Sequence, residues 1–254
     1  MKITLFGTGR LAYSLIPNLQ AAGFDVLQLI GRSIEKVESY ANAFHIPFFS
    51  TNIDDLHADT EAVILCVSDA AISEIAPLFA GKNCLLFHTS GSIDIEALAA
   101  AGADIGVLYP LQIFTPDKMV SLKEVPFFYE GKGKAAEVAE ILAQHLSNQS
   151  YLANSYTRLN VHLGAVIACN FSNFLFRTAQ EILPPSMSFN IYEPLMREHI
   201  AKVFAFLPQN TQTGPAIRGD TTTIDKHLAL LADKPEIQEL YKKMSELINP
   251  NLLD

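Results

Sequence analysis

The sequence predicts an α/β protein in which a doubly wound, mainly parallel sheet is followed by a smaller all-helical domain. Over residues 1–153, short apolar runs alternate with helical patterns. Near-continuous apolar strands are typical of parallel sheets that are covered on both faces. From residue 154 onward the apolar residues follow helical spacing instead. We therefore expect one domain over 1–153 and a second over 154–254.

The alternation predicts eight strands. They cover residues 2–6, 26–30, 47–49, 62–67, 84–88, 105–109, 125–129 and 150–152. After a first helix that begins at the end of strand one, the first domain has helical patterns over 34–44, 70–79, 93–101 and 134–146. The second domain has them over 155–183, 193–206, 222–232 and 235–248.

A glycine-rich turn joins the first predicted strand to the first predicted helix. It reads G-x-G-x-x-A and consists of Gly7, Thr8, Gly9, Arg10, Leu11 and Ala12. Gly7 permits the tight bend, Gly9 lets the backbone approach a pyrophosphate, and Ala12 allows close helix–strand packing. The N–H groups at the helix start then bind the anion. This pattern predicts a Rossmann-like, dinucleotide-binding domain; the alternative is a small-residue turn in an α/β domain without nucleotide.

The residues after the second predicted strand indicate which dinucleotide binds. An NAD site usually has Asp or Glu here for the ribose hydroxyl, whereas this chain has Arg32 and Ser33. A guanidinium and a hydroxyl suit a 2′-phosphate, and Arg10 adds positive charge nearby. The sequence therefore predicts NADP as the cofactor. Alternatively, Arg32 is a solvated charge in a loop.

Polar residues follow two further strands, at the edge where parallel sheets bind their ligands. After the fourth strand come Val67, Ser68 and Asp69. They pass under the cofactor ribose, or they only cap the next helix. After the fifth strand come His88, Thr89, Ser90 and Gly91. The last three are assigned to the cofactor and His88 to proton transfer; the alternative is a capped loop with His88 hydrogen-bonded internally.

Candidate substrate-binding residues lie farther along the chain. Tyr109 either presents its phenol to the cleft or simply packs. On the long predicted helix, His162, Asn170 and Asn173 share one face. Buried polar groups on such a face need partners, which are one another, neighbouring helices or a substrate. Arg218, in a loop rich in Gly and Pro, is suited to binding a substrate carboxylate.

Composition excludes several classes of partner. The net charge of −9 argues against nucleic acid and against a polybasic contact with a membrane. No uninterrupted apolar run reaches about 18 residues, so no transmembrane span is expected. Cys66, Cys84 and Cys169 lie in apolar runs and are interpreted as buried, reduced thiols, without a disulfide framework or a metal site. With a strand pattern at the N-terminus in place of a signal peptide, the chain is predicted to be cytoplasmic.

Together these residues resemble a family of Rossmann-like, NADP-dependent oxidoreductases with a helical C-terminal domain of unknown function. That family is related to pyrroline-5-carboxylate reductase and, more distantly, to the 6-phosphogluconate dehydrogenase group. The resemblance rests on the glycine turn and residues 88–91, 109–114, 162, 170, 214–220 and 227. It implies a dinucleotide in the N-terminal domain, a site between the domains, and a homodimer formed through the helical domains.

The leading hypothesis is an oxidoreductase that transfers hydride between NADPH and a carbonyl or imine of a small, anionic substrate in the interdomain cleft. His162 is the first candidate for the proton donor and His88 the second, while Asn170 positions the substrate. Asn173, Arg218 and Tyr109 are assigned to substrate binding. The hydroxyacid branch of the related group uses a Lys–Asn pair, and this chain has no Lys between Lys134 and Lys202. Its absence motivates a second hypothesis, a non-catalytic NADP-binding sensor or regulator. A structural α/β protein without a cofactor is a third.

Overall fold

The computed structural model describes residues 1–116 and 118–252. The chain divides into two compact units, Met1–Ala168 and Cys169–Asp254. The predicted domain boundary at 153/154 lies at the start of a long helix, whereas the division of the structure falls inside that helix. His162, which the sequence analysis assigns to the second domain, therefore belongs to the first unit.

The first unit contains an eight-stranded sheet, counted over the described residues, with the order β3-β2-β1-β4-β5-β6-β7-β8. The strands are β1 (Lys2–Phe6), β2 (Asp25–Ile30), β3 (Phe48–Ser50), β4 (Ala62–Leu65), β5 (Leu85–His88), β6 (Ile105–Pro110), β7 (Phe127–Gly131) and β8 (Ser150–Leu152). Neighbouring strands are parallel, with β6 and β7 as the antiparallel pair. The predicted mainly parallel sheet is confirmed.

Helices follow most strands of this unit. They are α1 (Arg10–Ala21), α2 (Ile34–Ala43), α3 (Asp69–Ile75), α4 (Ala135–Leu146) and α5 (Ser155–Ala165). Parts of two predicted helices are not α-helical. Ala76–Phe79 and Ile95–Ala101 form 3-10 helices instead. Proline at the start of the first of these removes a backbone donor that a continuing α-helix would need.

The core lies on both faces of the sheet, as strand β4 shows. Ala62 and Ile64 pack in the cluster that includes Ile3 of β1. Val63 and Leu65 pack in a second cluster on the opposite face. Successive residues of a strand point to opposite faces, and all four β4 residues are fully buried. The continuous apolar run of β4 follows from this double coverage.

The turn after β1 requires glycine at its first position. Gly7 has φ of +119°, a region that side chains with a Cβ rarely adopt. A Cβ at this position would overlap the carbonyl of Cys66. The N–H of Gly7 donates to the Ile30 carbonyl at 2.7 Å, which joins the turn to β2. Ala12 is fully buried in the core, so α1 starts close against the sheet.

The second unit consists of helices and loops over its described residues. Its helices are α6 (Ser172–Ile182), α7 (Glu193–Phe206), α8 (Pro215–Arg218), α9 (Thr221–Leu230) and α10 (Pro235–Ile248). Asp220 caps α9 by accepting from the Thr223 N–H at 3.0 Å. His227 Nδ1 lies 2.8 Å from the Tyr241 hydroxyl and links α9 to α10. The predicted smaller, all-helical part of the chain is confirmed.

Helix α5 continues through a π-helical segment, Val166–Phe171, into α6. The resulting helix, Ser155–Ile182, is long and apolar enough to cross a membrane by length and composition alone. The expectation of no transmembrane span rested on uninterrupted apolar runs, and it stays a prediction because length and composition do not decide it. Many large apolar side chains of this helix are exposed. They are Tyr156, Leu159, Leu163, Ile167, Phe171, Phe174, Phe176 and Ile182. Cys169 of this helix is also exposed, so the prediction of three buried thiols is confirmed for Cys66 and wrong for Cys169.

Candidate cofactor and catalytic site

A cavity of about 510 Å³ lies at the carboxyl ends of β1, β2 and β4. The strand order reverses here, because β2 lies on one side of β1 and β4 on the other. Open parallel sheets bind ligands at such a point. Seven predicted cofactor residues line the cavity: Gly7, Thr8, Gly9, Arg32, Ser33, Val67 and Ser68. Seven others lie outside its lining in the part of the chain that the structure describes: Arg10, Leu11, Ala12, Asp69, Thr89, Ser90 and Gly91.

The N-terminus of α1 is suited to an anion in this cavity. Gly9 is the N-cap residue, and no described side chain caps the helix, so its first N–H groups are available to a ligand. The first turn contains no acidic residue that would offset the positive end of the helix dipole. Gly7 and Gly9 allow the backbone to approach closely. The turn therefore fits the pyrophosphate of a dinucleotide.

Two cationic side chains, Arg32 and Lys36, line the cavity beside the end of β2. Lys36 lies in the first turn of α2, and its N–H donates to the Ser33 hydroxyl oxygen at 3.4 Å. The Ser33 hydroxyl donates to Glu35 at 2.6 Å. Guanidinium and ammonium groups at one end of the cavity suit a phosphate. Lys36 was not among the predicted cofactor residues. Its position on a predicted helix, one turn after Ser33, indicates that it can lie on the same side of that helix as Ser33.

The turn after β4 contacts both the cavity and the next loop. Ser68 is the N-cap residue of α3, but its side chain makes no cap hydrogen bond among the described atoms. Ser68 therefore occupies the predicted cap position, but its hydroxyl does not cap the helix. Asp69 Oδ2 instead accepts a hydrogen bond from the Ser92 hydroxyl at 2.6 Å. This bond joins the turn after β4 to the turn after β5.

His88 is fully buried at the end of β5. Its Nδ1 accepts from the Ser90 N–H at 3.1 Å. Burial, and then the charge of Arg158, lower the pKa of His88 to about 4. The ring is therefore neutral at pH 7 and enclosed by protein. This geometry matches the internally hydrogen-bonded loop and argues against His88 as a proton donor.

Tyr109 and His162 form a hydrogen-bonded pair. The Tyr109 hydroxyl lies 3.2 Å from His162 Nδ1. Burial, and then the carboxylate of Asp69, raise the pKa of Tyr109, so its phenol stays protonated at neutral pH. Gly91 lies directly against the pair: a Cβ there would stand 2.6 Å from Tyr109 Cζ and 2.9 Å from His162 Nδ1.

The first turn of α5 is fixed by a buried ion pair. Arg158 is fully buried, and its Nη1 donates to Glu130 of β7 at 2.5 Å. Its Nη2 donates to the Ile93 carbonyl at 2.5 Å and to the Ser155 hydroxyl at 3.2 Å. His162 follows Arg158 by four residues and therefore lies on the same face of α5.

The remaining predicted residues lie in the second unit. Asn170 is exposed in the π-helical segment, Asn173 is exposed at the start of α6, and Arg218 is exposed at the end of α8. Among the residues that the structure describes, no group of three or more His, Cys, Asp or Glu side chains could hold a metal ion.

Comparison with known proteins adds the family. A family model described as NADP oxidoreductase, coenzyme F420-dependent, matches residues 2–85, which contain the cavity. A model for a domain of unknown function, DUF2520, matches residues 125–248. A solved Bacteroides fragilis protein, described as a candidate NADP oxidoreductase, is 33% identical and covers 98% of both chains with a TM-score of 0.88. The chain belongs to this NADP oxidoreductase family. The predicted family is thereby confirmed.

More distant structures share the fold of this NADP oxidoreductase. An Aspergillus terreus reductive aminase, solved with NADPH and ethyl levulinate, is 15% identical over 98% of this chain and 92% of its own, with a TM-score of 0.73. An imine reductase of Streptomyces aurantiacus is 12% identical over 98% of this chain and 95% of its own, with a TM-score of 0.66. Identities this low show the fold alone.

Curated relatives match a shorter stretch. Glucose-fructose oxidoreductase domain-containing protein 1 of Xenopus tropicalis is 32% identical over 103 residues, which is 39% of this chain. The match spans 26% of that protein, so this chain covers about a quarter of the length of this relative.

We predict that His88 makes the NADP oxidoreductase less stable as the pH falls from 6.5 to 4. The folded chain keeps His88 neutral down to its pKa of about 4, whereas the unfolded chain binds the proton near pH 6.5. The unfolded state then holds more protons in this window, which lowers the free energy of unfolding by about 3 kcal/mol.

Denaturant unfolding across that pH range measures the effect, with His88→Asn as the control. The asparagine oxygen can still accept from the Ser90 N–H, but the side chain does not titrate. The variant should therefore show a shallower dependence on pH. Equal slopes for the two proteins would contradict the prediction.

Proposed function

We propose that this NADP oxidoreductase uses NADPH to reduce the carbonyl or imine carbon of a small, anionic molecule. The observation that carries the proposal is a glycine-lined cavity and a Tyr109–His162 pair at the same edge of one sheet. The cavity fits the phosphates of a dinucleotide, and an imidazole can exchange a proton near neutral pH. Membership of the NADP oxidoreductase family supports the reaction class.

In this proposal the first unit binds the cofactor. The N–H groups of α1 and the bare backbone of Gly7 and Gly9 would bind the pyrophosphate, and Arg32, Ser33 and Lys36 would bind a 2′-phosphate. When bound, NADPH supplies a hydride to the acceptor carbon. The reductive aminase from Aspergillus terreus was solved with NADPH, and an imine reductase from Myxococcus stipitatus with NADP+. Both support NADP as the cofactor here.

His162 supplies the proton, and Tyr109 orients the imidazole. When the ring is protonated, its Nδ1–H donates to the Tyr109 hydroxyl oxygen, and its Nε2–H is left for the substrate. Donation from Nε2 to the substrate oxygen or nitrogen balances the hydride added to carbon and leaves a neutral imidazole. Because Tyr109 keeps its own proton, it does not stabilise the imidazolium as a phenolate would.

The substrate residues are assigned from their chemistry. Arg218 can bind a carboxylate, and Asn170 and Asn173 can both donate and accept hydrogen bonds. His88 is left out of the catalytic group because its ring is fully buried and neutral.

We predict that Arg32→Asp weakens NADPH binding at least tenfold, with little effect on NADH, because a carboxylate repels the 2′-phosphate. Lys36→Gln should weaken NADPH in the same direction. Calorimetric titration with both cofactors measures this. Arg197→Asp, an equal charge change on exposed helix α7, is the matched control and should leave both affinities unchanged. Equal loss of NADPH and NADH in Arg32→Asp would argue against a 2′-phosphate site.

We predict that His162→Ala lowers the turnover number by about 10²–10⁴, because the proton donor is lost. NADPH affinity should be unchanged, and His145→Ala, on the surface of α4, should match the parent. A panel of keto esters and ketones with amines measures turnover, since the Aspergillus terreus enzyme was solved with ethyl levulinate and with cyclohexanone and allyl amine. Tight NADPH binding without turnover on any substrate would favour the non-catalytic sensor.

We further propose that the protein is a cytoplasmic homodimer, in which the exposed apolar side chains of Ser155–Ile182 pack against a second copy. The same helix carries polar residues along its length, including Asn160, His162, Asn170 and Asn173. Such groups are costly in the hydrocarbon core of a bilayer, whereas a protein interface supplies them with partners. A second copy therefore fits this helix better than a membrane does.

We predict that Leu163→Glu and Phe171→Glu each convert the dimer to a monomer, because a buried carboxylate opposes pairing. Sedimentation equilibrium measures the mass. Leu78→Glu is the control, since Leu78 is an exposed apolar residue of the first unit that lies outside the long helix. A monomeric parent chain, or a parent chain that floats with lipid vesicles, would contradict the dimer.

A further inference from the structure

We propose that Asp69 is a positioning residue for the Tyr109–His162 pair and acts through Ser92 on the turn formed by residues 90–93. Its carboxylate lies in the first turn of α3, and its hydrogen bond to Ser92 joins that helix to the loop after β5. The consequence for turnover rests on the proposed function. The positioning itself is a property of the fold.

The turn is held by hydrogen bonds on both sides of its glycine. Ser92 Oγ donates to Asp69 Oδ2 at 2.6 Å. Ser90 Oγ accepts from the N–H groups of Ser92 and Ile93, both at 3.1 Å. The N–H of Ser90 donates to His88 Nδ1 at 3.1 Å. These bonds help to determine where the turn lies, together with the packing of Ile93 against the core.

A second helix holds the far end of the same turn. Arg158 of α5 donates to the Ile93 carbonyl at 2.5 Å while it is paired with Glu130. The turn is therefore held by α3 through Asp69 and by α5 through Arg158. Loss of Asp69 releases the α3 side and leaves the ion pair of α5 in place.

Gly91 transmits the position of the turn to the pair. A Cβ at Gly91 would stand 2.6 Å from Tyr109 Cζ and 2.9 Å from His162 Nδ1, so the glycine backbone lies directly against both rings. Close-packed groups shift together, because there is no free space to absorb a displacement. If the turn is released from Asp69, its backbone at Gly91 shifts, and the rings of Tyr109 and His162 that pack against it shift as well.

The carboxylate also acts through its charge. Asp69 raises the pKa of Tyr109, as the smaller cause after burial. An asparagine at position 69 keeps an oxygen for the Ser92 hydroxyl but removes the charge. The two effects of Asp69 can therefore be separated.

The experiment compares Asp69→Ala, Ser92→Ala and Asp69→Asn in the full chain. Gly91→Ala serves as a reference, because its added methyl group displaces the pair directly. Proton–carbon NMR spectra of the imidazole groups report on His162, whose signals are identified by their loss in His162→Ala. NADPH affinity is measured on the same samples. Ser92→Ala removes only the hydrogen bond and keeps the test valid if Asp69→Ala does not fold.

We expect the His162 signals of Asp69→Ala and Ser92→Ala to move in the direction seen for Gly91→Ala. Those of Asp69→Asn should stay close to the parent, and NADPH affinity should change less than about threefold in all three. Unchanged His162 signals in the alanine variants would overturn the proposal. A tenfold or larger loss of NADPH affinity on replacing Asp69 would also overturn it, since Asp69 would then be a cofactor ligand.

Turnover distinguishes this inference from the proposed function. With an active substrate, Ser92→Ala should lower kcat at least tenfold while the KM for NADPH is retained. Absence of turnover in the parent chain would refute the reductase, but the NMR comparison would still decide whether Asp69 positions the pair.

Discussion

The buried guanidinium of Arg158 is the constraint on which the placement of helix α5 and of His162 depends. A charge with no exposed surface is tolerated only where it is paired and hydrogen-bonded, and here Glu130, Ser155 and Ile93 supply the partners. Removal of one partner from such a pair typically costs about 3–5 kcal/mol. This requirement sets the rotation of α5 on the sheet. One helical turn later, His162 therefore meets Tyr109.

The cofactor part of the site depends on a different constraint, the conformation of the turn after β1. Gly7 adopts a positive φ and leaves room beside the Cys66 carbonyl, so α1 begins with its N–H groups at the mouth of the cavity. Parallel strands then bring the ends of β2 and β4 to the same place. The net charge of −9 does not oppose an anion there, because binding depends on the local helix terminus and on Arg32 and Lys36.

The network around residues 88–93 connects these two parts. Of two adjacent residues in the turn after β4, Ser68 lines the cavity and Asp69 accepts a hydrogen bond from Ser92 in the turn after β5. The neutral, buried His88 completes the network by accepting from Ser90. Its polar atoms serve to hold backbone in place, which explains why a cluster of small polar residues occurs at a buried strand end.

The sequence by itself determined the succession of strands and helices along the chain, the glycine turn, and the place of Arg32 after the second strand. These features depend on neighbours along the chain: a positive φ at Gly7, free N–H groups at the start of a helix, and Arg32 directly after a strand. Only the tertiary structure decided that His88 is buried and neutral, and that Asp69 bonds to Ser92, 23 residues away. The tertiary structure also brings Tyr109 next to His162, although the two are 53 residues apart in the sequence. Burial and long-range hydrogen bonds depend on which elements pack together, and residue type and spacing alone do not specify that packing.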